Sequence, residues 1–195
     1  MKRIIEVLLI IGFLGLINLY GQEESKEVKK WVWIEGEDVK ETTFKESAWM
    51  EGDTPEKLSR GDALSHMSSD ALGSNRPEYY AIWEFEVPED GIYEFWSREG
   101  YKGHIEYKWR IDNGEWQISD YDLPYKNVIP IGQYRTIGWV NNGKVKLTKG
   151  KHTLEIVLTG SAGGGKSNEI WGLFDCFIFT QERFNPRGKS KPDEW

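Results

Sequence analysis

From Trp31 onward the chain alternates apolar and polar residues in short stretches, the pattern of strands with one face in a core and the other in water. In Tyr79–Val87 one face carries Tyr79, Ala81, Trp83, Phe85 and Val87, while Glu84 and Glu86 point the other way. Pro88-Glu89-Asp90-Gly91 makes a turn, and Ile92 to Ser97 runs back. His104 to Ile111 repeats the pattern, with Ile105, Tyr107, Trp109 and Ile111 opposite Glu106, Lys108 and Arg110. Asp112-Asn113-Gly114 closes a hairpin, because Asn-Gly accepts the positive φ that tight hairpin turns demand, and Trp116-Gln117-Ile118 begins the return strand. Lys144–Leu147, Thr153–Leu158 and Ile170–Phe179 are three more strands, separated by Thr148-Lys149-Gly150 and by the glycine-rich run from Gly160 to Ser167. No sustained helical period appears after residue 30. This pattern predicts an all-β domain, an antiparallel β-sandwich. Phe44 to Glu78 and Ser119 to Thr136 are too long for hairpin turns, and their aromatic and polar content predicts functional loops.

The first 21 residues stand apart. Lys2 and Arg3 precede an apolar run from Ile4 to Leu19, so 1–21 is expected to be an export signal. Glu6 and the mediocre Leu19-Tyr20-Gly21 cleavage site leave an uncleaved anchor as the alternative. No Cys follows the run, which removes a lipoprotein anchor. Residues 22–30 form a polar leader, 31–182 the sandwich, and 183–195, with Phe184-Asn185-Pro186-Arg187-Gly188, a C-terminal tail or linker. The expected location is secreted, periplasmic or on the cell surface.

Composition narrows the function. The 195 residues suit one folded domain, and the lone Cys176 cannot form an internal disulfide. A net charge of −7 argues against nucleic acid and against an anionic membrane surface as partners. His66, His104 and His152 are dispersed, without metal-ligand spacing, and there is no G-x-S-x-G nucleophile motif. Gly160, Gly165, Lys166 and Ser167 satisfy the letters of a phosphate loop. A strand-like run follows them instead of the helix whose N-terminus would hold the phosphate, so a mobile loop is expected.

Two candidate chemistries remain. Glu35 and Glu37 share a face of the first strand, and Asp175 sits in the apolar last strand, where an unpaired charge would be costly. A calcium ion bridging the first and last strands would satisfy all three, since calcium takes several oxygen ligands. The alternative is that the glutamates are solvated edge residues and Asp175 accepts backbone hydrogen bonds. The second chemistry comes from the aromatic residues, 10 Trp, 9 Tyr and 8 Phe. Trp83, Trp96, Trp109, Trp116 and Trp171 fall on predicted strands, Trp31 and Trp33 flank the first, and Trp195 is in the tail. Trp49, Tyr101, Tyr121, Tyr125, Tyr134 and Trp139 lie in or beside loops, where core packing does not require them, and Asn168 could supply an orienting amide. Aromatic walls with a few polar groups suit the flat C–H faces of sugars.

Four pieces of the chain resemble the galactose-binding-like carbohydrate-binding modules of families 6 and 35. They are Ile34-Glu35-Gly36-Glu37-Asp38, the hairpin from Val87 to Phe95, the hairpin from Val145 to Ile156, and the stretch from Asn168 through Phe174-Asp175. The resemblance covers about Trp31 to Thr180. It implies a jelly-roll β-sandwich with a structural calcium held by Glu35, Glu37 and Asp175. It also implies sugar binding between loops at one end, with Asn168 as polar contact and Trp139 roughly where such modules carry a binding aromatic. Gly36 departs from the family's usual alanine. The expected function is a non-catalytic secreted module that binds a polysaccharide or oligosaccharide through Trp49, Tyr101, Tyr134, Trp139 and Asn168, within or beside a larger glycan-degrading system. The alternatives are a small jelly-roll polysaccharide lyase and an adhesion module with a protein partner.

Overall fold

The computed structural model describes residues 29–45, 53–68, 78–100, 105–119, 124–133, 135–160 and 170–194. Among them are eleven strands: β1 (Trp31–Glu35), β2 (Glu41–Thr42), β3 (Leu64–Ser68), β4 (Tyr79–Val87), β5 (Gly91–Glu99), β6 (Tyr107–Ile111), β7 (Gln117–Ile118), β8 (Lys126–Pro130), β9 (Thr136–Leu147), β10 (Gly150–Leu158) and β11 (Ile170–Thr180). They form two sheets. The first has the order β1-β11-β5-β9-β8, with β3 pairing the N-terminal half of β11, and the second has the order β2-β4-β10-β6-β7. Every pairing among the described residues is antiparallel.

The alternation in β4 translates directly into burial. Tyr79, Ala81, Trp83, Phe85 and Val87 are buried, while Glu84 and Glu86 are exposed. The inward faces of the two sheets meet through aromatic rings. Phe177 lies 4.8 Å from Trp83 and Phe179 lies 4.7 Å from Phe85, while Phe95 lies 4.7 Å from Trp109. This is the antiparallel β-sandwich that the alternation predicts, held by apolar burial without a disulfide.

The first sheet departs from simple alternation because it is covered on both faces. In β9, Ile137, Gly138, Trp139 and Val140 are all buried, and in β11 every residue except Trp171 is buried. The second cover is the C-terminal segment, expected as a tail or linker but packed against the sheet's outer face. Phe184 stands 4.9 Å from Trp139 and 5.5 Å from Trp96, centroid to centroid. The amide of Gly188 donates to Asn127 Oδ1, and Lys29 pairs with Asp193 at 2.7 Å. The two expected long loops also contain regular structure: β3 lies within 44–78, and β8 with the first residue of β9 lies within 119–136.

Candidate functional site

The inward alternation of Tyr93 and Phe95 in β5 continues through Ser97 and Glu99, so two polar side chains enter the interior where the apolar core ends. Glu99 is 1% exposed and accepts three hydroxyl bonds: from Ser97 at 2.6 Å and Tyr107 at 2.7 Å on Oε2, and from Tyr125 at 3.2 Å on Oε1. Asn142 donates to Ser97 at 2.9 Å and lies 3.1 Å from the Tyr107 hydroxyl. Burial pushes the Glu99 carboxyl up to about 7, against the pull of its three hydroxyl donors. Burial likewise raises the Tyr107 phenol well above its ordinary range, so it stays a donor. A carboxyl that titrates near neutrality among hydroxyls can hold or release a proton under ordinary conditions.

Glu99 marks one end of the sandwich. Gly100, Ile105, Leu158 and Ile170, which bound the glycine-rich segment and the segment carrying Tyr101, belong to strand ends gathered there by pairing of Glu99 with Gly138 and Phe174, and of Leu158 with Tyr107 and Tyr79. Gly100 is required at this point. A Cβ there would stand 2.0 Å from the Thr136 carbonyl oxygen.

Of the sugar-contact residues expected from sequence, Trp49, Tyr101, Tyr134 and Asn168 lie outside the described residues, as does Tyr121. Tyr125 is described, half-buried and bonded to Glu99. Trp139 departs from the expectation of a binding aromatic. It is fully buried, its ring packs edge-on against Trp33 at 5.5 Å and against Phe184, and its Nε1–H donates to the Gly188 carbonyl at 2.7 Å. The C-terminal segment covers the face that a ligand would need. Ser97, Glu99, Tyr107 and Asn142 were not singled out by sequence reasoning. The available signal was the period-2 continuation from Phe95, which turns Ser97 and Glu99 inward.

The three expected calcium ligands do not converge. Asp175 is fully buried at a bulge in β11 between Phe174 and Cys176. Its Oδ2 pairs with Arg98 Nη1 at 2.5 Å, and its Oδ1 accepts the Ser59 amide at 2.8 Å. Burial pushes this carboxyl up to about 6, while the Arg98 guanidinium and the Ser59 amide pull it down. Glu37 accepts from Arg60 at 2.9 Å, and Arg60 also bonds both oxygens of Asp38. Glu35 is buried with Lys191 Nζ 3.2 Å from Oε1; neither of its oxygens nor Glu37 Oε2 has a hydrogen-bond partner. Among the described residues no three His, Cys, Asp or Glu side chains stand close enough to hold a metal ion. The donor set therefore does not fit a calcium site, because each carboxylate already faces a cation of the chain.

Gly36, where the family resemblance leads one to expect alanine, has a local cause. A Cβ there would fall 1.9 Å from the Phe174 carbonyl oxygen. The glycine lets the chain approach the bulge closely enough for its amide to reach the Asp175 carbonyl at 2.7 Å and for its own carbonyl to accept from Trp83 Nε1 at 2.9 Å.

No protein-family model matches the chain, and no curated protein matches it. Solved structures similar to it include a GH26-CBM35 β-(1,4)-mannanase from Podospora anserina, at 20% identity and a TM-score of 0.48, covering 81% of this chain and 29% of the mannanase. A family 35 carbohydrate-binding module from an environmental isolate is similar at 13% identity and a TM-score of 0.48, covering 80% of this chain and 98% of the module. The C-terminal CBM6 of a marine laminarinase from Zobellia galactanivorans is similar at 10% identity and a TM-score of 0.42, covering 77% of this chain and 99% of that module. At these identities the likeness concerns the fold alone.

Proposed function

We propose that the chain is an exported, non-catalytic module that binds a polysaccharide or oligosaccharide at the Glu99 end of the sandwich. One observation carries this reading: the described strand ends bounding the segments with Tyr101 and Asn168 gather around the polar cluster of Glu99, Tyr107, Tyr125 and Asn142. Aromatic residues in the connecting segments supply faces for sugar C–H surfaces, and Asn168 supplies directed hydrogen bonds. Trp139 has no part in binding; it anchors the C-terminal segment. Affinity electrophoresis across neutral and acidic polysaccharides tests the proposal. Retardation on at least one polysaccharide, lost in Asn168→Ala and Tyr101→Ala but kept in a folded Trp139→Phe, is the expected result. Uniform mobility on every polysaccharide overturns it.

A second reading, a small polysaccharide lyase, is favoured by the Glu99 carboxyl, which titrates near neutrality beside two phenols. It requires ultraviolet-absorbing unsaturated products from an acidic polysaccharide, abolished in Glu99→Gln. Binding without such products leaves the first reading.

A further inference from the structure

We propose that this chain neutralises the carboxylates at its first and last strands with its own cations, Arg98 foremost, in place of a bound calcium ion. The three carboxylates that the family resemblance assigns to one metal face three separate basic side chains: Asp175 faces Arg98, Glu37 faces Arg60 and Glu35 faces Lys191. These cations come from β5, from the turn at residues 59–61 and from the C-terminal segment, so each carboxylate is drawn toward a different part of the fold.

Arg98 occupies the decisive position. Pairing places Glu35 of β1, Cys176 of β11 and Arg98 of β5 in one cross-strand row, so their side chains share the outer face of the first sheet. The bulge at Asp175 brings its carboxylate to the same face, where it meets a guanidinium that is itself fully buried. Arg98 Nη1 also donates to the Lys57 carbonyl at 3.2 Å, and the Ser59 amide takes the other Asp175 oxygen. A carboxylate oxygen and a backbone carbonyl are the groups a hard cation would use, and here both point at an arginine nitrogen. The guanidinium cannot lose its charge, so a divalent ion at this place would be repelled at short range. Arg98 Nε and Nη2 have no hydrogen-bond partner, and neither do the Glu35 oxygens across the row. Glu35 and Arg98 thus lie in the same cross-strand row with Cys176 between them. This assignment is independent of whether the loop end binds a glycan.

Thermal unfolding of the purified full chain tests the proposal, with saturating EDTA and then with millimolar calcium, alongside terbium luminescence sensitised by tryptophan. The expected result is a melting temperature unchanged within about 1 °C by either addition, and no saturable terbium signal. A calcium-dependent rise of roughly 5 °C or more, the size that a well-occupied site gives by mass action, overturns it. A charge-swap series supplies the second arm. Arg98→Met, which strands the Asp175 charge, is expected to lower the melting temperature by about 10 °C, and adding Asp175→Asn is expected to restore at least half of that loss. If Arg98→Met does not fold, a folded Arg98→Met/Asp175→Asn double variant supports the pairing. A double variant no more stable than Arg98→Met, or likewise unable to fold, overturns it.

Discussion

His152 shows how a single residue couples the fold to pH. Its Nε2 lies 2.8 Å from the Thr148 carbonyl oxygen and its Nδ1 lies 2.9 Å from Asp112 Oδ2. The carbonyl can only accept, so Nε2 carries a proton, and the carboxylate favours a second proton on Nδ1. Partial burial pulls the imidazole down, but these bonds outweigh it and the pKa is raised. A raised folded-state value means that the stabilisation is complete below the unfolded value and disappears as pH rises through the folded one. Glu99 acts in the same direction from a lower starting point. Its carboxyl rises from 4.5 to about 7, so its contribution is complete below the unfolded value and is lost as pH climbs through neutrality. Melting curves from about pH 4 to about pH 9 are therefore expected to fall with rising pH, the Glu99 part amounting to roughly 3 kcal/mol. Glu99→Gln should flatten the lower part of that profile and His152→Gln the upper part. A profile unchanged in both variants would show that neither group governs it.

At the scale of elements, the C-terminal segment is a structural strap. It covers Trp33, Trp96 and Trp139 on the outer face of the first sheet, with Phe184 at the centre. Phe184→Ala should cost about 3–5 kcal/mol, the usual loss for a buried phenylalanine, with the proposed glycan binding at the Glu99 end of the sandwich unchanged. Chemical denaturation combined with the electrophoretic assay separates the two effects. Gly36→Ala should destabilise through the Phe174 carbonyl contact, whereas Gly143→Ala, with open space around its Cβ, should cost less and act only through the strain of its φ of 99°. Equal losses in the two variants would remove the close approach at the β11 bulge as the reason for Gly36.

The strands that were legible in the sequence are those with one wet face. β4, β6 and the first half of β5 alternate because their inward rings must be buried and their outward charges must not. The strands that were not legible are buried on both sides or lie at edges. The N-terminal half of β9 reads as a loop because Ile137 to Val140 lack a polar face, and that face is removed by a strap some fifty residues further along the chain. The same blindness affected the candidate site. Trp139 stood out as a loop aromatic because nothing local reveals its partners Trp33 and Phe184. Glu99 did not stand out because its hydroxyl donors come from β6, from the segment before β8 and from within its own strand.

For the molecule as a whole, a chain of net charge −7 is expected to hold a neutral polysaccharide through stacking and hydrogen bonds. Retention should then change little between about 50 mM and about 500 mM salt, since screening acts on charge pairs and not on apolar contact. Binding that collapses over this range would point to an ionic ligand instead. The period-2 pattern by itself determined that the chain is an antiparallel β-sandwich, because a half-buried strand must alternate to keep its charges in water. Only the tertiary structure decided which tryptophans are covered and which cation each carboxylate meets. Those outcomes depend on groups distant in sequence, such as Arg98 beside Asp175 and Gly188 beneath Trp139, and burial makes them matter by removing the water that would otherwise satisfy each group.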